Sequence, residues 1–98
     1  MAPLRIEWHP AKAATNRSKH GVSFEEASTV FQDDFALFMD DPDHSGSEER
    51  FLLLGMSDAL RILVVVHACR VEDDVVRIIS ARRATPSERA RYGARWSR

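Results

Sequence analysis

The second half of the chain contains three apolar stretches of strand type, and only short polar turns separate them. A turn of a few residues can join antiparallel neighbours, whereas parallel strands need a crossover of a dozen residues or more. We therefore predict an antiparallel meander, which begins with a strand at residues 36–39 followed by a loop at residues 40–47. The three later strands are predicted at residues 50–56, 61–69 and 75–82.

Helix-start signals mark three helices around this meander. Pro10 suits the first position of a helix that runs to about His20. Ser23 and Glu26 form a capping box for a second helix at residues 24–32, and the short junction predicts a helical hairpin on one face of the sheet. Another capping box, with proline at the first helical position, opens a C-terminal helix at Thr85, Pro86 and Glu88.

With a short strand at residues 5–8, the predicted order is strand, helix, helix, meander, helix. This is an α+β fold in which an N-terminal strand and a helical hairpin pack on an antiparallel β-meander, and a C-terminal helix follows. A length of 98 residues corresponds to one domain, so we assign residues 1–98 to a single unit. A hydrophobic fraction of 44% and a charged fraction of 30% are typical of a globular chain.

Targeting signals and cysteine usage predict a cytoplasmic protein without membrane association. No apolar run approaches the roughly 20 residues that a membrane-spanning helix needs, and the first residues lack the apolar region of a signal peptide. The single cysteine, Cys69, cannot form an internal disulfide. It lies in an apolar strand pattern, which favours a buried thiol over a nucleophile.

Charge is distributed very unevenly along the chain, although the net charge is only −1. Residues 25–50 contain nine acids and one base, whereas residues 76–98 contain seven arginines and one acid. Blocks of opposite sign can steer two different partners, one basic and one acidic, although an acidic block is often only solvated surface.

Metal and nucleotide cofactors are not predicted. The four histidines, His9, His20, His44 and His67, include no pair at the i, i+4 spacing of a helical zinc site, and no Cys-x-x-Cys accompanies them. The four glycines do not cluster into a phosphate-binding loop. His67 follows three valines in the most apolar strand, so it is either a half-buried structural residue or a general acid or base.

Two adjacent arginines end the last predicted strand. Strand alternation places Ser80 and Arg82 on one face of the sheet, and Arg77, Ala81 and Arg83 on the other. Arginine presents a planar fork of donors that suits phosphate, and the sheet face without the hairpin is a possible groove for RNA. The alternative is that Arg82 and Arg83 form ion pairs with the acidic block.

One pattern is shared by residues 6–12, by Asn16 with residues 19–27, by Glu49, Arg50 and Gly55, and by residues 77–84 with Glu88 and Arg89. Through these segments the chain resembles the BrnT toxins of type II toxin–antitoxin modules, which are similar to RelE-type ribonucleases. The resemblance implies metal-independent RNA cleavage that blocks translation. It also implies a BrnA antitoxin with a ribbon-helix-helix part, whose paired copies bind promoter DNA, so that DNA is contacted only through the antitoxin. His9 stands where the family usually has an aspartate.

RelE-like enzymes favour clusters of arginine and lysine over a histidine pair, and by that analogy we assign roles to residues of this chain. Arg82 and Arg83 are expected at the scissile phosphate, with His67 as the candidate for proton transfer and no metal or cofactor. Catalytic support is expected from Arg50. Substrate binding is expected from Lys19, His20, Arg77, Arg89 and Tyr92.

Two other functions remain open at this stage. The chain is alternatively a non-enzymatic co-repressor or binding module, whose arginine-rich C-terminal helix contacts DNA beside a DNA-binding partner. It is also possible that this copy is a degenerate toxin that keeps only the fold. Growth arrest on induction separates an active toxin from a degenerate one.

Overall fold

The computed structural model describes residues 5–41, 49–70 and 74–94. His44, Glu72, Asp73, Arg95 and Trp96 lie outside the described residues, with most of the predicted loop at residues 40–47. The elements are β1 (Arg5–Glu7), α1 (Pro10–His20), α2 (Phe24–Thr29), a 3₁₀ helix (Val30–Gln32), β2 (Leu37–Asp40), β3 (Arg50–Met56), β4 (Ile62–Arg70), β5 (Val75–Arg83) and α3 (Pro86–Gly93).

The strands form one five-stranded sheet in the order β1-β5-β4-β3-β2. Neighbours from β2 to β5 are antiparallel, which confirms the predicted meander. β1 pairs with β5 in parallel at one edge, with Glu7 opposite Arg77. The α+β fold with an N-terminal strand, a helical hairpin and a C-terminal helix is therefore confirmed.

The helix ends follow the predicted signals, with one change of helix type. The ring nitrogen Nδ1 of His9 accepts a hydrogen bond from the backbone of Ala11, so histidine serves as the N-cap of α1. Gly21 ends that helix with a φ of 70°, a conformation that glycine adopts at little cost. The second helix keeps its predicted bounds at residues 24–32, but it is α-helical only to Thr29 and continues to Gln32 as the 3₁₀ helix.

Local hydrogen bonds give a physical reason for this change of helix type. The hydroxyl of Ser28 donates to the carbonyl of Glu25, and that of Thr29 donates to the carbonyl of Glu26. Such side-chain bonds compete with the backbone ladder of an α-helix. The tighter 3₁₀ turn then directs the chain into β2.

The helical hairpin seals one face of the sheet, which we call the hairpin face. Gly55 of β3 lies beneath it, because a Cβ there would come within 2.9 Å of Cγ1 of Val30. The helices and strands together bury a continuous apolar core. That core contains Val22, Phe24, Ala27, Val30, Leu53, Leu63, Val65, Ile78 and Ala81.

Among the described residues, α3 covers only part of the opposite face. Tyr92 of this helix is 2% exposed and packs in a second cluster with Leu54 and Val64. Its hydroxyl donates a 2.7 Å hydrogen bond to Oδ2 of Asp33, which ties α3 to the chain between the 3₁₀ helix and β2. No helix among the described residues is long and apolar enough to cross a bilayer.

A β-bulge in β5 changes which side chains share a face. Val66 pairs with Ser80, but the next residue, His67, pairs with Ile78, so Ile79 is inserted between two registers. The insertion reverses the alternation for the first part of the strand. Arg77 therefore shares a face with Ser80 and Arg82, and the prediction that it lies opposite them was wrong.

Candidate functional site

Arg82 lies on the open sheet face with its guanidinium fixed by Glu88. Its two terminal nitrogens donate to the two carboxylate oxygens of Glu88 at 2.8 and 3.0 Å. Glu88 also accepts from the backbone of Thr85, completing the capping box of α3. The hydrogen bonds from Arg82, followed by those from Thr85, lower the pKa of Glu88 from its usual 4.5 to about 2 despite partial burial.

The side chain of Arg82 keeps 40% of its surface exposed in this pairing. A bidentate pair restricts the orientation of the guanidinium while leaving its remaining N–H donors available. The partner is the one acid of the basic C-terminal third, and not a member of the acidic block at residues 25–50. Arg82 is thus oriented before any ligand binds.

Among the described residues, Arg50, Arg77 and Arg82 lie on this same side of the sheet, which we call the arginine face, and Arg5 of β1 lies there as well, beside Val75. The register connects Arg50 to Ala68 and Ala68 to Arg77 in one cross-strand row. Arg82 belongs to a second cross-strand row, in which it pairs with Val64. Val64 is four residues from Ala68 along β4, so about 13 Å of strand separates the two rows. The arginines therefore stand at the two ends of a short floor that includes Val66 and Ser80.

Arg50 is held near one acidic partner. Its Nε lies 3.6 Å from Oδ2 of Asp41, whose side chain is 6% exposed. This Nε is buried and has no hydrogen-bond partner among the described residues. The pairing leaves 31% of the Arg50 side chain exposed at the arginine face.

A cleft of about 410 Å³, the edge cleft, runs between α1 and β5. Ser80 lines the cleft and also belongs to the arginine face, so the two surfaces meet at this residue. The cleft contains two lysines and two histidines beside an apolar wall. It is lined by His9, Ala11, Lys12, Thr15, Asn16, Lys19, His20, Ile79 and Ser80.

Asn16 explains how α1 can lie against the edge of β5. Its amide donates to the carbonyls of Val22 and Ala81 at 3.0 and 2.9 Å, and accepts from the backbone of Ala81 at 3.0 Å. The buried side chain thereby replaces the backbone partner that a neighbouring strand would supply. Lys12 and Lys19, one helical turn to either side, are directed along the same strand.

Arg83 lies on the hairpin face, apart from Arg82, as alternation predicted. It is exposed and contributes to the electrostatic environment of Glu26. The pKa of Glu26 is lowered chiefly by its hydrogen bonds from Arg61, against the opposing effect of burial, and by the positive charge of Arg83 among smaller contributions. The structure therefore does not bring the two adjacent arginines to one site.

His67 is also separated from Arg82. It is 1% exposed on the hairpin face, where its ring contacts Phe31, Phe38 and Phe51 at centroid distances of 4.9 to 6.0 Å. Burial lowers its pKa, with a weaker opposing effect of the backbone of Val65. A proton-transfer role beside Arg82 does not fit this position, and of the two interpretations the structural histidine agrees with the geometry.

The two site residues predicted on α3 occupy different environments. Arg89 is exposed, and one of its guanidinium nitrogens donates to the carbonyl of Ala84 at 3.0 Å. Tyr92 is buried, with its hydroxyl on Asp33, so a direct contact between its side chain and substrate requires α3 to move. Among the described residues, no three histidine, cysteine, aspartate or glutamate side chains are grouped as metal ligands.

Sequence reasoning missed part of the edge cleft. Lys12 and Asn16 were not assigned to the site, although Lys12, Asn16 and Lys19 follow the i, i+4, i+7 spacing of one helical stripe. This stripe was a usable signal. Ile79 could not be assigned, because it enters the cleft wall only through the bulge.

Comparison with known proteins identifies the family. The family model described as the ribonuclease toxin BrnT of type II toxin–antitoxin systems matches residues 8–88. This chain belongs to that family. The match runs from the residue before the N-cap of α1 to Glu88, so it includes the edge cleft, the arginine face and the Arg82–Glu88 pair. The predicted membership of the BrnT family is confirmed.

A structural comparison supports the same fold. The crystal structure of the Brucella abortus ribonuclease toxin BrnT matches with a TM-score of 0.62 and 24% sequence identity. The match covers 85% of this chain and 99% of that one. No curated protein matches the chain by sequence. The family of this chain thus consists of ribonuclease toxins that act with an antitoxin.

Proposed function

We propose that this chain cleaves RNA without a metal ion, with the scissile phosphate bound at Arg82 on the arginine face. The observation that carries the proposal is the preorganised Arg82 guanidinium, held by two hydrogen bonds to Glu88 and still 40% exposed. Arg50 and Arg77 line the same face and provide further positive charge. Fixed cations of this kind stabilise the extra negative charge that a phosphate gains in the transition state.

The reaction is an internal transesterification. The ribose 2′-oxygen forms a bond to phosphorus, and the bond between phosphorus and the 5′-oxygen of the next nucleotide breaks. A base receives the proton of the 2′-hydroxyl, and an acid supplies a proton to the departing 5′-oxygen. The products are a 2′,3′-cyclic phosphate and a 5′-hydroxyl, so no water or metal is consumed in this step.

The edge cleft supplies the groups for substrate binding and proton transfer. Lys12 and Lys19 contact flanking phosphates, and Arg89 extends the positive surface beside Arg82. His20, which is half-buried in the cleft, replaces His67 as the proposed proton-transfer group, because an imidazole ring nitrogen can accept or donate a proton. Ser80 joins this cleft to the arginine face, so one RNA strand can contact both.

The consequence for the cell is loss of translation. Cleavage of messenger RNA in the cytoplasm stops protein synthesis until an antitoxin binds the toxin. We assign that role to a BrnA-type antitoxin with a ribbon-helix-helix domain, whose paired copies bind the promoter of the module. The hetero-oligomer then contacts DNA through the antitoxin and not through α3.

RNA cleavage by the purified chain tests the proposal. A single-stranded RNA should be cleaved equally in EDTA and in Mg²⁺, and the products should carry 2′,3′-cyclic phosphate and 5′-hydroxyl ends. The same oligonucleotide with 2′-O-methyl groups should stay intact, because it lacks the attacking hydroxyl. Arg82→Ala protein, purified in parallel, controls for contaminating nuclease. Loss of cleavage in EDTA, or hydrolysis to 5′-phosphate ends, would contradict the mechanism.

A further inference from the structure

Strand β2 presents an unusual combination of side chains at the edge of the sheet. It ends the sheet and, among the described strands, pairs only with β3. Phe38 in this strand is 61% exposed, and Phe35 just before it is 43% exposed. Exposed edge strands are places where another chain can add a strand, and proteins normally shield or charge them.

Acidic residues lie close to these aromatic residues along the chain: Asp34 precedes Phe35, and Asp40 lies two positions after Phe38 in β2. Asp34, Asp40 and Glu49 are exposed, and none of the three forms an ion pair with another described residue. Other acids of the block at residues 25–50 differ from these three, since Glu26 pairs with Arg61 and Asp41 lies near Arg50. We call the surface formed by Asp34, Phe35, Phe38, Asp40 and Glu49 the β2 strip.

Phe38 is held in place although it is exposed. Its ring stacks on Phe51 with centroids 4.8 Å apart and contacts the ring of His67 at 5.7 Å. A rigid aromatic side chain loses little conformational freedom when a partner covers it, which makes it a suitable anchor. A single exposed apolar residue needs no explanation, but within the described part of the chain this anchor coincides with an open strand edge and with unpaired carboxylates.

We propose that the β2 strip is the docking surface for the antitoxin, which adds an extended segment bearing apolar and Lys or Arg side chains to the edge of β2. Charge complementarity decides the type of partner, because the acids of the strip exclude nucleic acid and favour a basic peptide. The proposal rests on the antitoxin of the family and is independent of the cleavage mechanism.

The position of the strip has a consequence for neutralisation. β3 and β4 lie between β2 and β5, so the strip is about 14 Å from the strand of Arg82 across the sheet. Docking at β2 thus provides affinity, and a separate part of the antitoxin has to cover the arginine face. Changes in the strip should weaken antitoxin binding without lowering the cleavage activity of the free toxin.

Binding of the purified cognate antitoxin to the toxin tests this proposal. Phe38→Ser, and separately the double variant Asp34→Lys with Asp40→Lys, should each raise the dissociation constant at least tenfold in calorimetric titration. Leu60→Asn is the control for Phe38→Ser, because it removes a leucine that is 78% exposed in the turn between β3 and β4. Glu25→Lys is the control for the charge reversals, because it reverses an exposed charge on α2. Both controls should stay within twofold of wild type.

The salt dependence of antitoxin binding and the oligomeric state of the free chain provide the outcomes that would overturn the proposal. Raising NaCl from 50 to 500 mM should weaken binding by the wild type more than binding by the charge-reversed variant. Equal affinities for the strip variants, the controls and the wild type would contradict the docking surface. If sedimentation shows a dimer of the free chain that Phe38→Ser dissociates, while antitoxin affinity is unchanged, a second copy occupies β2 and the proposal is wrong.

The activity of the same variants keeps this proposal separate from the proposed function. If Phe38→Ser and the charge-reversed protein still cleave RNA at the wild-type rate, a loss of antitoxin binding reflects the strip alone. If the wild type cleaves no RNA but the strip variants still lose antitoxin affinity, the docking surface stands and the cleavage mechanism fails. Thermal unfolding of each variant confirms that the folded protein was measured.

Discussion

The two faces of the sheet use the same alternation of side chains for different purposes. On the hairpin face, the helices exclude water from a core in which most residues are 0% exposed, and even His67 is buried there. On the arginine face, α3 covers only part of the sheet and Arg82 keeps 40% of its side chain exposed. The comparison shows that partial coverage by one short helix leaves room for charges within the sheet, whereas the strands beneath the two helices carry apolar side chains and the exposed charge of Arg83 lies at the end of β5.

Polar groups are satisfied differently on the two sides. Asn16, on the buried side of α1, has both amide atoms engaged with backbone. Arg82, by contrast, donates to one carboxylate and, at 3.4 Å, to the carbonyl of Arg83, and 40% of its side chain stays exposed. Groups on the hairpin side therefore contribute mainly to stability, and those on the arginine side are available to a ligand.

We expect the largest effect at the two adjacent arginines, because Arg82 lies on the arginine face and Arg83 on the hairpin face. Arg82→Ala should lower the rate of RNA cleavage by about 100- to 1,000-fold, the usual cost of removing a fixed donor at a developing charge. Arg83→Ala, its matched control on the hairpin face, should change the rate less than about threefold, since a solvent-exposed charge away from the reaction contributes little. Single-turnover cleavage of one RNA by both variants measures the difference. Similar losses would mean that substrate reaches both faces.

Asn16 should show the next largest effect, on stability. Asn16→Leu removes three hydrogen bonds and leaves buried backbone groups of Val22 and Ala81 without partners. We expect the free energy of unfolding to fall by about 2 to 3 kcal/mol, because each unpaired buried group costs on the order of 1 to 3 kcal/mol and solvent relieves part of this at the strand edge. Urea denaturation measures the change.

Thr15 provides the control for that experiment. Its hydroxyl donates to the carbonyl of Ala11 on the exposed side of α1, so Thr15→Ala should cost less than about 0.5 kcal/mol. If Asn16→Leu lowers the free energy of unfolding equally little, the stability of the β5 edge does not depend on the Asn16 amide. The distinction between a sealed hairpin face and an open arginine face would then be weaker than the geometry indicates.

Local signals in the sequence predicted most of the fold. Pro10, the Ser23 and Thr85 caps and the short turns are sufficient for the helices and the meander, because each acts within a few residues. The parallel pairing of β1 with β5 joins residues about 70 positions apart along the chain, and no local pattern encodes it. The separation of Arg82 from Arg83 was also predicted, since it depends only on strand alternation.

The candidate site was less predictable, because its geometry depends on non-local packing. The bulge at Ile79 moves Arg77 to the arginine face, and a single inserted residue leaves no clear sequence signal. His67 carries the right chemistry for proton transfer, but three phenylalanines from separate elements bury it. Alternation alone cannot tell which face the helices will cover.

Glu88 should have a moderate effect on cleavage. Glu88→Gln keeps the shape but removes the carboxylate that orients Arg82, and we expect about a tenfold lower rate with a largely unchanged KM. Glu25→Gln, an exposed acid on α2, should leave the rate unchanged. If Glu88→Gln retains full activity, the orientation of Arg82 by this pair is not needed for the reaction.

Glu88→Gln should also change how the stability of the fold depends on pH. The pKa of Glu88 is about 2 in the folded protein and near its usual 4.5 when unfolded, so the carboxylate stabilises the fold above pH 4.5. This contribution is lost as the pH falls from 4.5 through about 2. Because both partners are partly exposed, its size should be about 1 kcal/mol or less. Chemical denaturation from pH 6 to pH 2 should show a weaker pH dependence for Glu88→Gln than for wild type.

The smallest effect on cleavage is expected from His67, and for that reason it sharpens the comparison most. His67→Phe replaces a buried imidazole with a ring suited to its three phenylalanine neighbours, so the cleavage rate should stay within about twofold of wild type.

Burial lowers the pKa of His67 in the folded protein, so the unfolded chain takes up a proton near its usual pKa of 6.5 while the folded chain does not. Wild-type stability should therefore fall as the pH drops below 6.5, and this part of the decrease should be absent in His67→Phe. His20→Gln in the edge cleft is the contrasting variant, because it should lower cleavage without removing that pH dependence. A His67→Phe protein that remains folded but loses cleavage would place the proton transfer on the hairpin face, and RNA would then have to reach a ring that is only 1% exposed.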